Sequence, residues 1–203
     1  MTTTPLFGEL VLAPAIQEFL AAWPETRIEA LLSMAPEPLL ERDLDLAIRF
    51  GPLADSSLIA KGLGKAQLVW CAQAQYLEER GTPQTMDDLH HHDLLAFSSR
   101  PGNEQDWSWL RTSTGQRLAP RLSCSLETVT FDACYAGLGI AQLPYIVCQE
   151  ALESGNLVEV LAQHRPPPGP FHAVYAGRIQ GNPTLEAFLE TVAAHLRSKP
   201  WCP

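Results

Sequence analysis

The side chains best suited to chemistry in this chain are three adjacent histidines, His90, His91 and His92, and five cysteines, Cys71, Cys124, Cys134, Cys148 and Cys202. A metal needs ligands that converge on one point. Consecutive histidines point in different directions, and no spaced cysteine or carboxylate completes a tetrahedron. Adventitious nickel binding is the most that this run supports, so no metal site is expected. The cysteines are odd in number and lack close pairs, which argues against a disulfide framework and against structural zinc. Most of them read as small core residues. Of the glycine-rich stretches, KGLGKA lacks the hydroxyl residue of a phosphate loop, and GLGI at 137–140 lacks the third glycine of a dinucleotide loop. Both read as turns, and no cofactor is expected. No G-x-S-x-G elbow, HExxH helix or Cys–His pair supplies a nucleophile with its base. The chemistry on offer is ligand binding, and no enzyme is expected.

Composition narrows the partners. With 203 residues, 46% of them hydrophobic, the chain can fill one core or two small ones. Its formal charge of -9 opposes a phosphate backbone, which nucleic-acid binders neutralise with clustered Lys and Arg. No DNA contact is expected from this stretch alone. No run of about twenty apolar residues is read as a membrane span. The opening MTTTPLFGEL lacks the basic and apolar regions of a signal peptide. A cytoplasmic location follows as the expectation.

The elements that must position a ligand come from periodicity. Leu12, Ile16, Phe19, Leu20 and Trp23 recur at helical spacing over residues 8–23, and Pro24 ends the run. Residues 27–33 and 44–50 read as strands around a proline loop and a short helix at 39–42. A further strand is expected at 67–72, then helical turns at 76–80 and 86–89. Short β segments at 94–98, 107–111 and 116–125, joined by PGNEQD and STGQ, suggest a hairpin-like insertion. A helix at 128–136, a strand at 139–143, a helix at 146–153 and a strand at 157–161 lead into the stiff HRPPPGP connector. Residues 171–176 form a last strand and 185–196 a last helix, with SKPWCP as a frayed tail. Strands alternating with helices imply a mainly parallel sheet.

In this order, TTTPLFGELVLAPAIQEFLAAWPETRIE, DLDLAIRFGPLADSSLIAKGLG, GTPQTMDDLHHHDLLAF, AGLGIAQLP, SGNLVEVL and RPPPGPFHAVY resemble the effector-binding region of LysR-type transcriptional regulators. The resemblance runs from near the first residue to about Arg197. It implies an α/β fold of the type 2 periplasmic-binding-protein kind: two α/β lobes joined by two crossover segments, with a ligand cleft between them. Lobe I would hold residues 1–70 plus 172–203 and lobe II residues 71–171, the crossings falling near 67–72 and 171–176. The family's N-terminal winged helix-turn-helix is absent from this sequence, and Met1 falls inside what would be the first strand, leaving only Thr2 to Thr4 of it. By the same resemblance a homodimer would form through Leu10 to Ala21 and Val129 to Ala136, with DNA reached only through the absent domain.

Ligands of open α/β sheets bind beyond the carboxyl ends of strands, where helix N-termini offer free N–H groups to anions. Four segments meet that description: Thr3, Thr4 and Pro5; Ser33 and Met34; Arg49, Phe50 and Gly51; and Ser125, Leu126 and Thr128, with Pro144 ending the adjoining strand. Ser98, Arg100 and Trp107 could shape the pocket wall, although Trp107 reads better as core. Each has a plainer role: Thr4, Ser125 or Thr128 capping a helix, Ser33 and Met34 serving a loop, Arg49 pairing with Asp43 or Asp45. Arg49, Arg100 and Arg178 would favour an anion if they converged. The expected ligand is a small-molecule effector, an organic acid or a small aromatic on family-level grounds. The leading function is an effector sensor; the alternative is a free-standing solute-binding protein of the same fold, and an enzyme on that fold ranks third.

Overall fold

The computed structural model describes residues 1–35, 37–53, 57–98, 115, 117–177, 181–199 and 201. The expected β segment at 107–111, its PGNEQD turn, Arg100 and Arg178 lie outside the described residues. The chain divides into two compact units. One comprises Met1–Ala66 and Gly169–Pro200; the other comprises Gln67–Pro168 and Trp201–Pro203.

The first unit is built on a five-stranded sheet of order β2-β1-β3-β10-β4. The two-residue β1 (Thr2–Thr3) runs parallel between β2 (Leu31–Leu32) and β3 (Leu46–Phe50). Strand β10 (Gly169–Tyr175) is antiparallel to β3 and to β4 (Ile59–Ala66). Leu46, Ala47 and Ile48 are all buried, as befits an inner strand covered on both faces. Helix α1 spans Pro5–Ala22 and buries Phe7, Val11, Ala15 and Phe19, one residue per turn. Its second turn, Gly8–Leu12, widens to π geometry. Pro14, lacking an N–H, cannot serve the carbonyl one turn back, and the widened turn absorbs that loss.

Helix α1 packs on the C-terminal helix Pro183–Arg197, where Phe19 meets Phe188 edge-on at 5.1 Å. Beside them His195 Nε2 lies 2.9 Å from the exposed carboxylate of Glu18. An exposed pair contributes ~0.2–1 kcal/mol. Burying an aromatic ring contributes ~1.5–3 kcal/mol, so the apolar contact sets this packing.

The second unit has the sheet order β7-β6-β8-β5-β9. Strand β6 (Leu94–Phe97) is parallel to β7 (Leu122–Cys124) and β8 (Ile140–Pro144). Strand β5 (Leu68–Gln73) is antiparallel to β8 and to β9 (Leu157–Val160). Strand alternation sends Trp70 and Ala72 to one face, where they join Tyr76, Leu77 and Leu89. Helix α2 (Ala74–Arg80) and the 3-10 segment Met86–His91 supply those partners. Val69 and Cys71 face the other side, covered by α3 (Glu127–Tyr135) and α4 (Tyr145–Glu153). Cys71, Cys134 and Cys148 are fully buried there, free thiols used as small apolar residues. The 3-10 segment opens with a capping box between Thr85 and Asp88.

Several expectations are corrected. Both sheets are mixed, because β10 and β5 run antiparallel to the strands on either side of them. KGLGKA is not a turn: Gly62 and Gly64 lie within β4, and a Cβ on Gly64 would stand 2.9 Å from the Phe171 ring. Within the expected hairpin-like insertion β7 adds parallel to β6, and the 107–111 segment lies outside the described residues. Of residues 27–33 only Leu31–Leu32 are strand, and 39–42 form turns held by Arg42 N–H donating to Pro38 O and Leu44 N–H to Leu39 O. The tail is docked at Trp201, which is buried and whose carbonyl accepts from Gln67 N–H at 2.9 Å. The 18 residues of α1 are also long and apolar enough to cross a membrane by length and composition. Here that run is the helix whose apolar stripe packs in the first unit.

Candidate functional site

In the first unit the parallel register of β1, β2 and β3 brings Thr3, Leu32 and Phe50 to one edge, the carboxyl end of the sheet. Thr4 and Pro5 follow β1 and open α1, and Gly51 follows β3. Thr4 is extended, with φ -70° and ψ 152°, and its side chain makes no capping hydrogen bond. The plainer role foreseen for it is therefore not the one it plays. The first N–H groups of an α-helix have no partner within it, and Pro5 removes only one of them. Directly before this turn, the Thr3 hydroxyl oxygen is buried and has no hydrogen-bond partner among the described residues.

The other first-unit candidates divide. Ser33 is tied to β1, its N–H donating to Thr3 O at 2.8 Å. Its hydroxyl is engaged inside its own loop, accepting from Ala35 N–H at 3.1 Å and donating to Glu37 Oε1 at 3.2 Å. Ser33 thus plays the loop role, and Met34 beside it is half-buried. Arg49 donates to the backbone carbonyl of Glu37, where the sequence suggested Asp43 or Asp45 as its partner. Burial draws its guanidinium pKa down, with the charge of Glu37 opposing. Phe50 is 39% exposed, yet its ring stacks on Phe171 at 5.2 Å and meets Phe7 at 5.8 Å. Gly51 has φ +85°, a left-handed conformation that glycine adopts freely, and its N–H donates to Pro170 O.

In the second unit the carboxyl ends of β6, β7 and β8 bring Ser98, Ser125 with Leu126, and Pro144 to one edge. Ser98 is buried, and its N–H donates to Cys124 O at 2.8 Å. Helix α3 begins one residue earlier than expected, at Glu127, with Leu126 as its cap residue and no side-chain cap. Neither Ser125 nor Thr128 caps it. Thr128 is exposed, whereas Glu127 and Thr130 are buried, and Thr130 Oγ1 donates to Leu126 O at 3.3 Å.

Sequence reasoning missed the aromatic trio Phe7, Phe50 and Phe171 and the buried Glu127. The trio joins residues from three distant segments, and only the strand pairing brings them together. Glu127 could have been noticed as an acid in the first turn of a helix, where the helix dipole favours it. The three histidines do not share a function: His92 bonds Tyr76, and His90 contacts the Asp87 carbonyl.

The family model of the LysR substrate binding domain matches residues 1–197. The chain belongs to this family. It is 34% identical over 174 residues to an uncharacterized HTH-type transcriptional regulator of Haemophilus influenzae, covering 85% of this chain and 60% of that protein. Among solved structures it is similar to the regulatory domain of CrgA, a LysR-type transcriptional regulator from Neisseria meningitidis, with TM-score 0.78, 28% identity and 96% of each chain covered. It is also similar to the full-length Vibrio cholerae virulence activator AphB, with TM-score 0.77 and 26% identity over 96% of this chain and 66% of that one. The fold is thus that of LysR regulatory domains, the type 2 periplasmic-binding kind. The chain spans about six-tenths of the length of the curated relatives it matches. These relatives are transcriptional regulators, which does not favour a free-standing solute-binding protein or an enzyme.

Proposed function

We propose that this chain is the effector-sensing part of a LysR-type transcriptional regulator and that its effector is a small organic acid. The observation that carries the reading is the buried, unpartnered Thr3 hydroxyl beside the uncapped start of α1. A carboxylate would accept from that hydroxyl and from the first-turn N–H groups, which together make an anion site. Phe50 and Gly51 at the adjoining strand end offer an aromatic edge and an open backbone. Thr128, Ser125, Leu126, Ser98 and Pro144 would supply the second unit's share. The units assigned to the two lobes would change their relative angle when the effector binds, and a homodimer through Leu10 to Ala21 and Val129 to Ala136 would transmit the change. Val129 and Tyr135 support the second part of that interface, being 41% and 44% exposed apolar side chains on α3. DNA recognition is assigned to the part of such regulators outside this span, because the present chain carries a charge of -9. Work on DNA implies a cytoplasmic location.

Thermal unfolding against a panel of small organic acids, amino acids and aromatic compounds tests this. A ligand present at a hundredfold its dissociation constant adds about 2.7 kcal/mol to native stability. A saturable shift from one class of acid, largely lost in Thr3→Val and reduced by Thr128→Val, is the expected result. A shift that both variants leave intact would overturn the site.

A further inference from the structure

The chain passes between the two units three times, at 66–67, at 168–169 and at 200–201. The third passage is additional to the two crossover segments that the family resemblance implies. Gln67 stands at the first passage, the single residue between β4, which ends at Ala66, and β5, which begins at Leu68. It is 6% exposed, an unusual burial for a long polar side chain.

The partners of Gln67 explain that burial. Its side-chain Nε2 donates to Leu68 O at 2.8 Å and to Pro166 O at 2.7 Å. Pro166 lies two residues before the second passage and opens a run of three prolines. Such a run makes no hydrogen bonds within itself, so its carbonyls need donors from elsewhere. An amide nitrogen with two N–H groups can serve two carbonyls at once. The backbone of Gln67 is spent as well: its carbonyl accepts from Tyr145 N–H at 2.8 Å, and its N–H donates to Trp201 O at 2.9 Å. One residue thus ties the first passage to the second and to the third, and all four partners belong to the second unit.

The three passages differ in what holds them. The first two are continuous chain running into β5 and into β10, and they join the units whatever their side chains do. The third leaves the C-terminal helix Pro183–Arg197 and reaches Trp201, which is 9% exposed but belongs to no helix or strand. It restrains the units only while Trp201 stays seated. A residue held outside regular structure opens at lower cost than one inside a sheet.

We infer that Trp201 is a releasable strap: seated against Gln67, it ties the C-terminal helix of the first unit to the second unit and limits how far the units turn against each other. Released, it leaves the two continuous passages as a freer hinge. The purpose of this restraint rests on the effector-sensing reading, in which a change of angle carries the signal.

The test needs no ligand. The whole chain, labelled with 15N, is compared with Trp201→Ala and with Trp201→Phe by backbone relaxation and amide exchange. In the parent, the amides of β3 and of β5 should report one tumbling time. In Trp201→Ala each unit should tumble faster and by its own time, and the Gln67 N–H should exchange at least about tenfold faster, while amides at the centres of β3 and β5 keep their protection. Trp201→Phe, which keeps a buried ring, should restore most of the parent behaviour. A single unchanged tumbling time in Trp201→Ala, or separate times already present in the parent, would overturn the inference. Faster exchange throughout both units would also overturn it, since Trp201 would then merely stabilise the fold. Because no acid is present, these outcomes are read independently of the effector site, whose own failure shows in Thr3→Val.

Discussion

The Tyr76 hydroxyl lies 3.2 Å from His92 Nδ1 while accepting from Asp93 N–H at 3.1 Å. When the hydroxyl proton goes to His92 Nδ1 the imidazole is neutral, whereas a protonated ring would donate there instead. Burial, and after it the neighbouring His91, lowers the His92 pKa in the same direction. A base whose folded pKa lies below its unfolded value binds fewer protons when folded, so stability is lost as pH falls through the unfolded value, about 6.5. His92→Gln should flatten the fall in melting temperature between about pH 7 and pH 5. Parallel slopes for the variant and the parent would show that His92 does not titrate with folding.

Gly139 stands against a neighbouring backbone. A Cβ there would lie 2.2 Å from the carbonyl oxygen of Asp93, the same oxygen that accepts from Ile140 N–H at 2.9 Å. Neither backbone can move without opening the β6–β8 pair. Gly139→Ala should cost about 3 kcal/mol or more in chemical denaturation. Gly155→Ala is the comparison: its φ is also positive, at +77°, but nothing lies within 4 Å, so only the backbone penalty of about 1–2 kcal/mol applies. Equal losses would mean that the Asp93 contact is soft.

Gly64 leaves its space to a ring. Phe171 occupies the position a Cβ would need and in turn stacks with Phe50 at the strand end where the effector site is proposed. Gly64→Ala should therefore cost about 1–3 kcal/mol by overpacking. Phe171→Leu alone should also destabilise, but combining the two should cost less than their sum, with about 1 kcal/mol of coupling in a double-mutant cycle. Strict additivity would place the strain elsewhere.

How much of this was legible beforehand depended on the kind of signal. Helix α1 was readable because Leu12, Ile16 and Phe19 repeat at helical spacing, yet its start was placed three residues late: Pro5 at a first helical position is a start signal, and the glycine at position 8 concealed it. Strand β4 was missed because Gly62 and Gly64 look like punctuation. Gly64 is in a strand for the sake of Phe171, more than a hundred positions away. Trp201 was read as fraying for a similar reason, since its burial depends on Gln67 and not on its neighbours. The order of landmarks carried the family, and strand-end logic named Thr3 and Phe50. Neither reveals that the Ser33 hydroxyl is spent on Ala35 and Glu37 while that of Thr3 is spent on nothing among the described residues, because hydrogen-bond partners across loops have no period in the sequence.

That last contrast gives the sharpest expectation. A buried hydroxyl without a partner costs about 1–3 kcal/mol of desolvation, whereas a methyl of the same shape in its place costs nothing comparable. Thr3→Val should accordingly stabilise the unliganded chain by about 1 kcal/mol, which for a chain of this size raises the melting temperature by roughly 2–4 °C. If the hydroxyl is kept for an effector carboxylate, the same variant must lose most of the stabilisation that the acid gives the parent, so that the two proteins converge or cross when ligand is saturating. A purely structural threonine predicts otherwise: Thr3→Val would then be destabilised, or would keep the full ligand shift. Measuring both melting temperatures with and without the acid separates these cases, because only a site residue shows a gain without ligand and a loss with it.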